Sequence, residues 1–321
     1  MRQTNPAAAL GVCAAVTAYV IERHYLQVEW SIAAPVPMVW WAVGGILGVL
    51  GAPLLCTALG RRAEPLLDRP WQRLLLTWVL PCLVAHVVWL GLIITVLGRL
   101  DPGFTGIPVR DTAEILSVVV FPPPEFSLLW VLALFPVVAK LTQRWPAAAV
   151  IVLLCALTML TTAPTFVIFM IVGLRLQSAI DHLGETATWP NIALRAAVAL
   201  VLGGAVLGVD RFPDGLDTAV AGLAVLPFAL TVVSWLSRLR LDLIGEAAVA
   251  IFLVLIPVAA VFDKILLARI GLSGSAIQYL AALVEPLIIV AAVVAAGVLI
   301  IALTRRVLRR GKAPVLIEVD R

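Results

Sequence analysis

The feature that most constrains this chain is a series of ten apolar stretches with few charged residues between them. They cover 7–27, 35–59, 74–98, 126–143, 146–162, 164–180, 192–209, 217–236, 245–263 and 276–304. A helix that crosses the hydrocarbon core of a bilayer needs about 20 predominantly apolar residues. The chain is also only 13% charged, with a mean hydropathy of +1.08, whereas a soluble domain is about a quarter charged. We therefore expect an all-α, polytopic membrane protein of about ten transmembrane helices.

The distribution of cations predicts the orientation of these helices. When the ten stretches alternate from an inner N-terminus, 17 of the 23 Lys and Arg residues fall on the inner side. Cytoplasmic loops carry the excess of Lys and Arg in membrane proteins, so we expect both termini to be cytoplasmic. The domain organisation predicted is one transmembrane domain over 1–304 and a basic cytoplasmic tail over 305–321. Abundant Arg and scarce Lys are typical of GC-rich bacterial genomes, so we expect a multi-pass protein of the bacterial plasma (inner) membrane.

Proline marks the expected breaks between the shorter stretches. Boundaries are predicted at Trp145-Pro146 and Ala163-Pro164, because proline ends or kinks helices. The longest polar stretch, 99–125, is predicted on the outer side. Loops of that length are commonly functional or disordered, so we do not expect a plain connector there.

Ionisable groups at membrane depth are functional candidates because they are costly to bury in lipid. His24 ends the first stretch and is a candidate general base, or else an interfacial anchor beside Glu22 and Arg23. His86 either hydrogen-bonds to a neighbouring helix or lines a polar cavity. Glu285 either pairs with a cation or faces a cavity.

The inner loop that follows the second stretch concentrates four arginines: Arg61, Arg62, Arg69 and Arg73. Guanidinium groups bind phosphate bidentately, so this loop is a candidate site for a phosphorylated donor. The alternative is orientation by the positive-inside rule and contact with anionic lipid head groups. These cations lie at helix ends rather than in a stripe, so no nucleic-acid partner is expected. The four cysteines have no metal spacing, and no metal site is predicted.

Several stretches carry motifs that resemble those of the acyltransferase-3 family of integral membrane acyltransferases. The similarity runs through most of the chain, and its motifs are degenerate. They are Pro37-Met-Val-Trp40-Trp41-Ala-Val-Gly44-Gly45, the basic run Arg69-Pro-Trp-Gln-Arg73 before the third stretch, Leu129-Trp130-Val-Leu, Phe166-Val-Ile-Phe169-Met-Ile-Val-Gly173, and Ile244-Gly245 followed by Ile251-Phe252-Leu253. His24 occupies the place of the histidine that family members carry near the outer end of the first helix.

This resemblance implies an acyl transfer across the membrane. An acyl donor such as acyl-CoA would be held by Arg61, Arg62, Arg69 and Arg73, and His24 would deprotonate a hydroxyl of a cell-envelope glycan or lipid. His86, Trp130 and Glu285 would line the cavity between them. The expected partners are membrane lipids, the glycan or lipid acceptor, and a partner subunit.

Three positions depart from the family pattern. Cys13 stands where a basic residue is usual, eleven positions before His24, and Ala248 and Leu255 replace a serine and a histidine. These departures favour the main alternative, a catalytically inactive subunit with the acyltransferase fold that binds lipid or scaffolds a complex. A lipid or small-molecule transporter is a second alternative.

Overall fold

The computed structural model describes residues 4–27, 35–97, 112–123, 126–159, 163–207, 214–236, 241–262 and 275–311. Within these ranges the chain is helical and contains no β-strand, which confirms the all-α class. The helices are α1 (Thr4–Arg23), α2 (Pro35–Arg62), α3 (Glu64–Leu67), α4 (Trp71–Leu74), α5 (Leu80–Leu92), α6 (Thr112–Val120), α7 (Leu128–Leu141), α8 (Ala147–Leu157), α9 (Ala163–Arg175), α10 (Gln177–Glu185), α11 (Trp189–Leu207), α12 (Asp214–Leu236), α13 (Asp242–Phe262) and α14 (Ser275–Gly311). The π-helical turns Leu75–Val79 and Ile93–Leu97 continue α4 and α5, so residues 71–97 form one continuous helix.

Each of the ten predicted stretches contains a helix, but they are not equally long. Seven helices in the described ranges are long and apolar enough to cross a membrane. Leu128–Leu141 and Ala147–Leu157 are shorter, and at 1.5 Å per residue they are only about 21 Å and about 16 Å long. The helices are those of a multi-pass membrane protein.

The predicted stretch 164–180 is wrong as a single straight helix. The chain bends by 74° between Pro164–Arg175 and Gln177–Glu185. The reason is the polar sequence of α10, which contains Asp181 and His182 and would be costly to bury in hydrocarbon. Upstream of the bend, α9 is enclosed by protein, and every residue from 167 to 174 is buried.

Two other predicted boundaries also differ. The last helix was expected to end at 304, yet α14 continues to Gly311 and takes in the start of the basic tail. Residues 312–321 lie outside the described residues. The polar stretch 99–125 contains α6, while 98–111 and 124–125 lie outside the described residues.

Helix α1 lies at the centre of the bundle and packs against α2, α12, α13 and α14. Glycines allow this close approach. A Cβ added at Gly11 would collide with the backbone of Leu55, and one at Gly51 with the backbone of Ala15. Small residues at such seams let membrane helices approach to backbone contact. The seam between α2 and α9 is built the same way, with Gly173 against the carbonyl of Thr57.

Five prolines lie inside the described helices: Pro53, Pro136, Pro227, Pro257 and Pro286. Three of them, Pro136, Pro257 and Pro286, are each matched by a tryptophan from a neighbouring helix. A proline lacks the N–H that would bond to the carbonyl four residues earlier. Trp78 donates its indole N–H to the Leu132 carbonyl, 2.9 Å away, and Leu132 lies four residues before Pro136.

The other two pairs repeat this geometry. Trp89 donates to the Leu253 carbonyl (3.1 Å), four residues before Pro257. Trp40 donates to the Ala282 carbonyl (3.1 Å), four residues before Pro286. In lipid a backbone carbonyl needs a partner inside the protein, so these indoles allow the helices to continue through the prolines.

Candidate functional site

The site forms where the end of α1 meets α14. Nε2 of His24 and Oε1 of Glu285 are hydrogen-bonded at 2.9 Å, and the two side chains are only 1% and 5% exposed. Oε2 of Glu285 is buried and has no hydrogen-bond partner among the described residues. A buried carboxylate beside an imidazole orients the ring and stabilises its protonated form. We call this end of the bundle the histidine end.

Aromatic side chains enclose the pair. The ring of Phe262, the last residue of α13, meets His24 edge to face with 6.2 Å between centroids. Tyr25 is fully buried beside His24 and packs against Trp40, with 6.4 Å between ring centroids. The imidazole and the carboxylate are therefore kept away from lipid and water.

Trp40 also fixes the helix that carries the carboxylate. Its indole bonds to the Ala282 carbonyl, which Pro286 leaves without a helical partner, and Ala282 lies one turn before Glu285. The Trp40 side chain thereby ties α2 to α14 directly beside the site.

The other residues predicted to line a cavity lie elsewhere. His86 is on α5 and is buried beside the backbone of Val119 on α6. Trp130 is on α7, half-buried against the main hydrophobic core. Helices α5 and α7 pack against each other. Of the three residues, Glu285 is the one that the structure brings to His24.

The four arginines predicted to bind the donor lie near the opposite end, which we call the basic end. Arg61 pairs with Asp181 at 2.8 Å. Arg62 donates to the Gly245 carbonyl at 3.1 Å and to the side chain of Asn5.

The remaining two of the four arginines lie along the loop and α4. Arg69 donates to the Thr77 hydroxyl at 3.1 Å. The side chain of Arg73 is exposed on α4. The guanidinium groups of Arg61, Arg62 and Arg69 bond to different partners, and the four arginines do not converge on one described cavity.

Three further cations at this end were not among the predicted site residues. Lys140 donates to the carbonyls of Leu67 and Arg69 and lies over the Trp71 ring, 5.5 Å from its centroid. Arg175 donates to the carbonyls of Trp145 (2.7 Å) and Thr142 (2.6 Å).

Arg195 similarly donates to the Leu183 carbonyl at 3.0 Å. Cations commonly bind the unpaired carbonyls at helix C-termini. The sequence signal for this role is a cation near a predicted helix end.

Two cavities lie between the central helices. One has a volume of about 10 Å³, room for about one water molecule, and is lined by Arg61 and Thr57. The other has a volume of about 340 Å³ and is lined by Cys13 and apolar side chains of α1, α2 and α12. Neither of these two cavities is lined by His24 or Glu285.

The positions that depart from the family pattern are packed with apolar neighbours. Ala248 and Leu255 on α13 are 0% and 2% exposed and belong to the main hydrophobic core. Within the described residues, no group of three or more His, Cys, Asp or Glu side chains is arranged to hold a metal ion.

Comparison with known proteins gives no assignment: no family model, no curated protein and no solved structure matches the chain.

Proposed function

We propose that this chain is a membrane acyltransferase that transfers an acyl group from a cytoplasmic donor such as acyl-CoA to a hydroxyl of a cell-envelope glycan or lipid. The observation that carries the proposal is the buried hydrogen bond between His24 and Glu285. A general base needs an imidazole near its acceptor and a partner that holds the ring in position. The resemblance to the acyltransferase-3 family supports the same assignment.

The proposed step uses the two ring nitrogens of His24 differently. In the tautomer that this step requires, Nε2 donates to Glu285 and Nδ1 accepts the proton of the acceptor hydroxyl. The hydroxyl oxygen attacks the carbonyl carbon of the thioester, the carbon–sulfur bond breaks, and the thiolate leaves with the proton that His24 has taken. Glu285 stabilises the imidazolium between these events. Phe262 and Trp40 exclude water that would otherwise hydrolyse the thioester.

The same proposal includes a topology of ten membrane crossings with both termini in the cytoplasm of a bacterial cell. The support for this topology is that each polar contact joins two groups on the same side of the membrane. When the ten spans alternate, both partners fall on the inner side in three contacts: Arg61–Asp181, Arg305–Glu246 and Lys140–Leu67. His24–Glu285 joins two groups that it puts on the outer side.

Arg69 and Arg73 would then make the first contact with the donor. The partners of Arg61 and Arg62 are groups of the protein itself, whereas Arg73 is exposed on α4. A phosphate-bearing donor in the cytoplasm would meet this exposed guanidinium first.

The experiment compares variants in liposomes, with radiolabelled acetyl-CoA as donor and octyl glucoside as a hydroxyl-bearing acceptor. We expect His24→Ala to lower the rate by about 10²–10⁴-fold, because general base catalysis contributes about that factor. Glu285→Gln is expected to lower it less, since an amide still bonds to the ring. His182→Ala is the matched control, because His182 is exposed on α10 and its loss should leave the rate unchanged. Full activity in His24→Ala would remove His24 from the mechanism.

A specific observation also favours a second function, a catalytically inactive subunit that binds lipid or scaffolds a complex. Cys13 lines an apolar cavity, and Arg61 and Arg62 are bonded within the protein. Titration with acetyl-CoA separates the two proposals. If the chain is an enzyme, the wild-type protein binds acetyl-CoA and the double variant Arg69→Gln, Arg73→Gln binds it more weakly. If the chain is an inactive subunit, neither the wild-type protein nor the double variant binds acetyl-CoA.

A further inference from the structure

The 340 Å³ cavity is elongated along the helices of the bundle. Its walls are formed by α1 from Leu10 to Thr17, by α2 from Leu47 to Leu54, and by α12 from Phe228 to Leu236. At 1.5 Å per residue each wall is about 10 Å long. All three helices belong to the candidate membrane spans, so the cavity lies within the hydrocarbon region of the bilayer.

The walls offer almost nothing that would hold water. The one hydroxyl among the lining residues, that of Thr17, donates to the Cys13 carbonyl at 2.7 Å. The other lining side chains are apolar apart from the Cys13 thiol. Water enters a cavity only where it finds two or more polar partners, and apolar cavities stay dry or bind apolar molecules.

The cavity is also accessible from outside the protein. Leu10, Leu47 and Leu50 on its walls are only half-buried, as is Leu236 at its far end. That end lies at the basic end of the bundle, because Ser234 on the same turn of α12 donates to the Gly184 carbonyl of α10 at 3.1 Å. The bilayer supplies hydrocarbon chains at this depth, and the basic end supplies cations that attract anionic head groups.

We infer that this cavity binds one acyl chain of a phospholipid whose head group lies at the basic end. The chain enters between α1 and α12 and lies along Cys13 and Leu50. Bulk lipid is as apolar as these walls, so a chain segment is retained against exchange only where the walls fit it closely and the head group is held at the basic end. The inference concerns lipid binding and holds whether or not the protein transfers acyl groups.

The test uses the full chain in nanodiscs that contain phosphatidylglycerol with a photoreactive diazirine in the middle of one acyl chain. After illumination, crosslinked peptides are mapped by mass spectrometry. We expect the cavity walls, around Leu50 and Phe228, to be labelled more strongly than Leu200, which is 74% exposed on α11. Cys13→Phe fills the cavity and should lower wall labelling to the level found at Leu200, because the phenyl ring occupies the volume that the acyl chain needs.

Leu200→Phe is the matched control and should leave wall labelling unchanged. Labelling of the walls no stronger than that of Leu200 in the wild-type protein would overturn the inference, and this result does not depend on any variant folding. Wall labelling that persists in a folded Cys13→Phe protein would overturn it as well. Labelling of the walls by a photoreactive acyl-CoA but not by the phospholipid would assign the cavity to a soluble donor instead.

Discussion

The two ends of the bundle hold their polar groups in different ways. At the histidine end, His24 and Glu285 form one buried pair inside an aromatic enclosure. At the basic end, Arg61 bonds to the carboxylate of Asp181, while Arg175 and Lys140 bond to several backbone carbonyls. Exposed pairs contribute little to stability, while a buried polar pair is costly unless its geometry is held by the fold. The proposed chemistry uses the histidine end, whereas the contacts of the basic end mainly join helices to one another.

The largest effect on stability is expected at the glycine seam of the basic end. Gly173→Ala would drive a methyl group into the carbonyl oxygen of Thr57 and force α2 and α9 apart. Overpacking that forces backbone shifts typically costs about 1–3 kcal/mol and occasionally more, and here the methyl group would meet backbone rather than a movable side chain. Thermal unfolding in detergent measures it, with Gly204→Ala as control because nothing lies within 4 Å of that position. Equal melting temperatures for the two variants would contradict the close α2–α9 contact.

A smaller effect is expected from the tryptophans that bond to proline-freed carbonyls. Trp78→Phe leaves the Leu132 carbonyl unpaired and should cost about 1–3 kcal/mol. Pro136→Ala restores the helical N–H, so the double variant should lose less than the sum of the single variants. Strict additivity in this double-mutant cycle would show that the indole does not serve that carbonyl.

The equivalent change at the histidine end should affect activity as well. Trp40→Phe frees the Ala282 carbonyl one turn from Glu285, so it should lower both stability and acyl transfer. Trp78→Phe should lower stability alone, because Trp78 packs against α7 rather than beside the pair. Assays of transfer per folded molecule compare the two variants. Equal acyl transfer by Trp40→Phe and Trp78→Phe would contradict the expectation that only the histidine end affects activity.

The smallest effect is expected for the ion pair of Arg61, whose carboxylate partner is exposed. Its partner Asp181 is 51% exposed, so Arg61→Gln should change the free energy of unfolding by about 1 kcal/mol or less. Asp181→Asn should have a similarly small effect, and chemical unfolding of both variants measures it. A loss of several kcal/mol in either would show that the basic end depends on this single pair.

The sequence was sufficient to predict the helices because a bilayer imposes a long apolar pattern on each of them. Proline was informative at Pro146, which precedes α8 as predicted. Proline was misleading as a general sign of a helix end, because Pro136, Pro257 and Pro286 lie within helices. The carbonyl that each of these three prolines frees is bonded by an indole from another part of the chain, and a local pattern cannot show that contact.

The candidate site was predicted only in part for the same reason. His24 and Glu285 were both identified as costly groups at membrane depth, but 261 residues separate them and nothing local pairs them. The arginines were identified as a cluster because they are close in sequence. Their partners Asp181 and Asn5 come from distant segments, and Asp181 follows the bend that the apolar pattern did not reveal.

The most direct test of the central claim is a cryo-EM structure of the protein in nanodiscs with saturating acetyl-CoA. The account predicts donor density that begins at the basic end near Arg73 and brings the thioester beside the His24 ring, with room for a hydroxyl about 3 Å from both. Apolar side chains that still fill the interior between Arg61 and His24, with no donor bound, would contradict acyl transfer and favour a membrane subunit without catalytic activity.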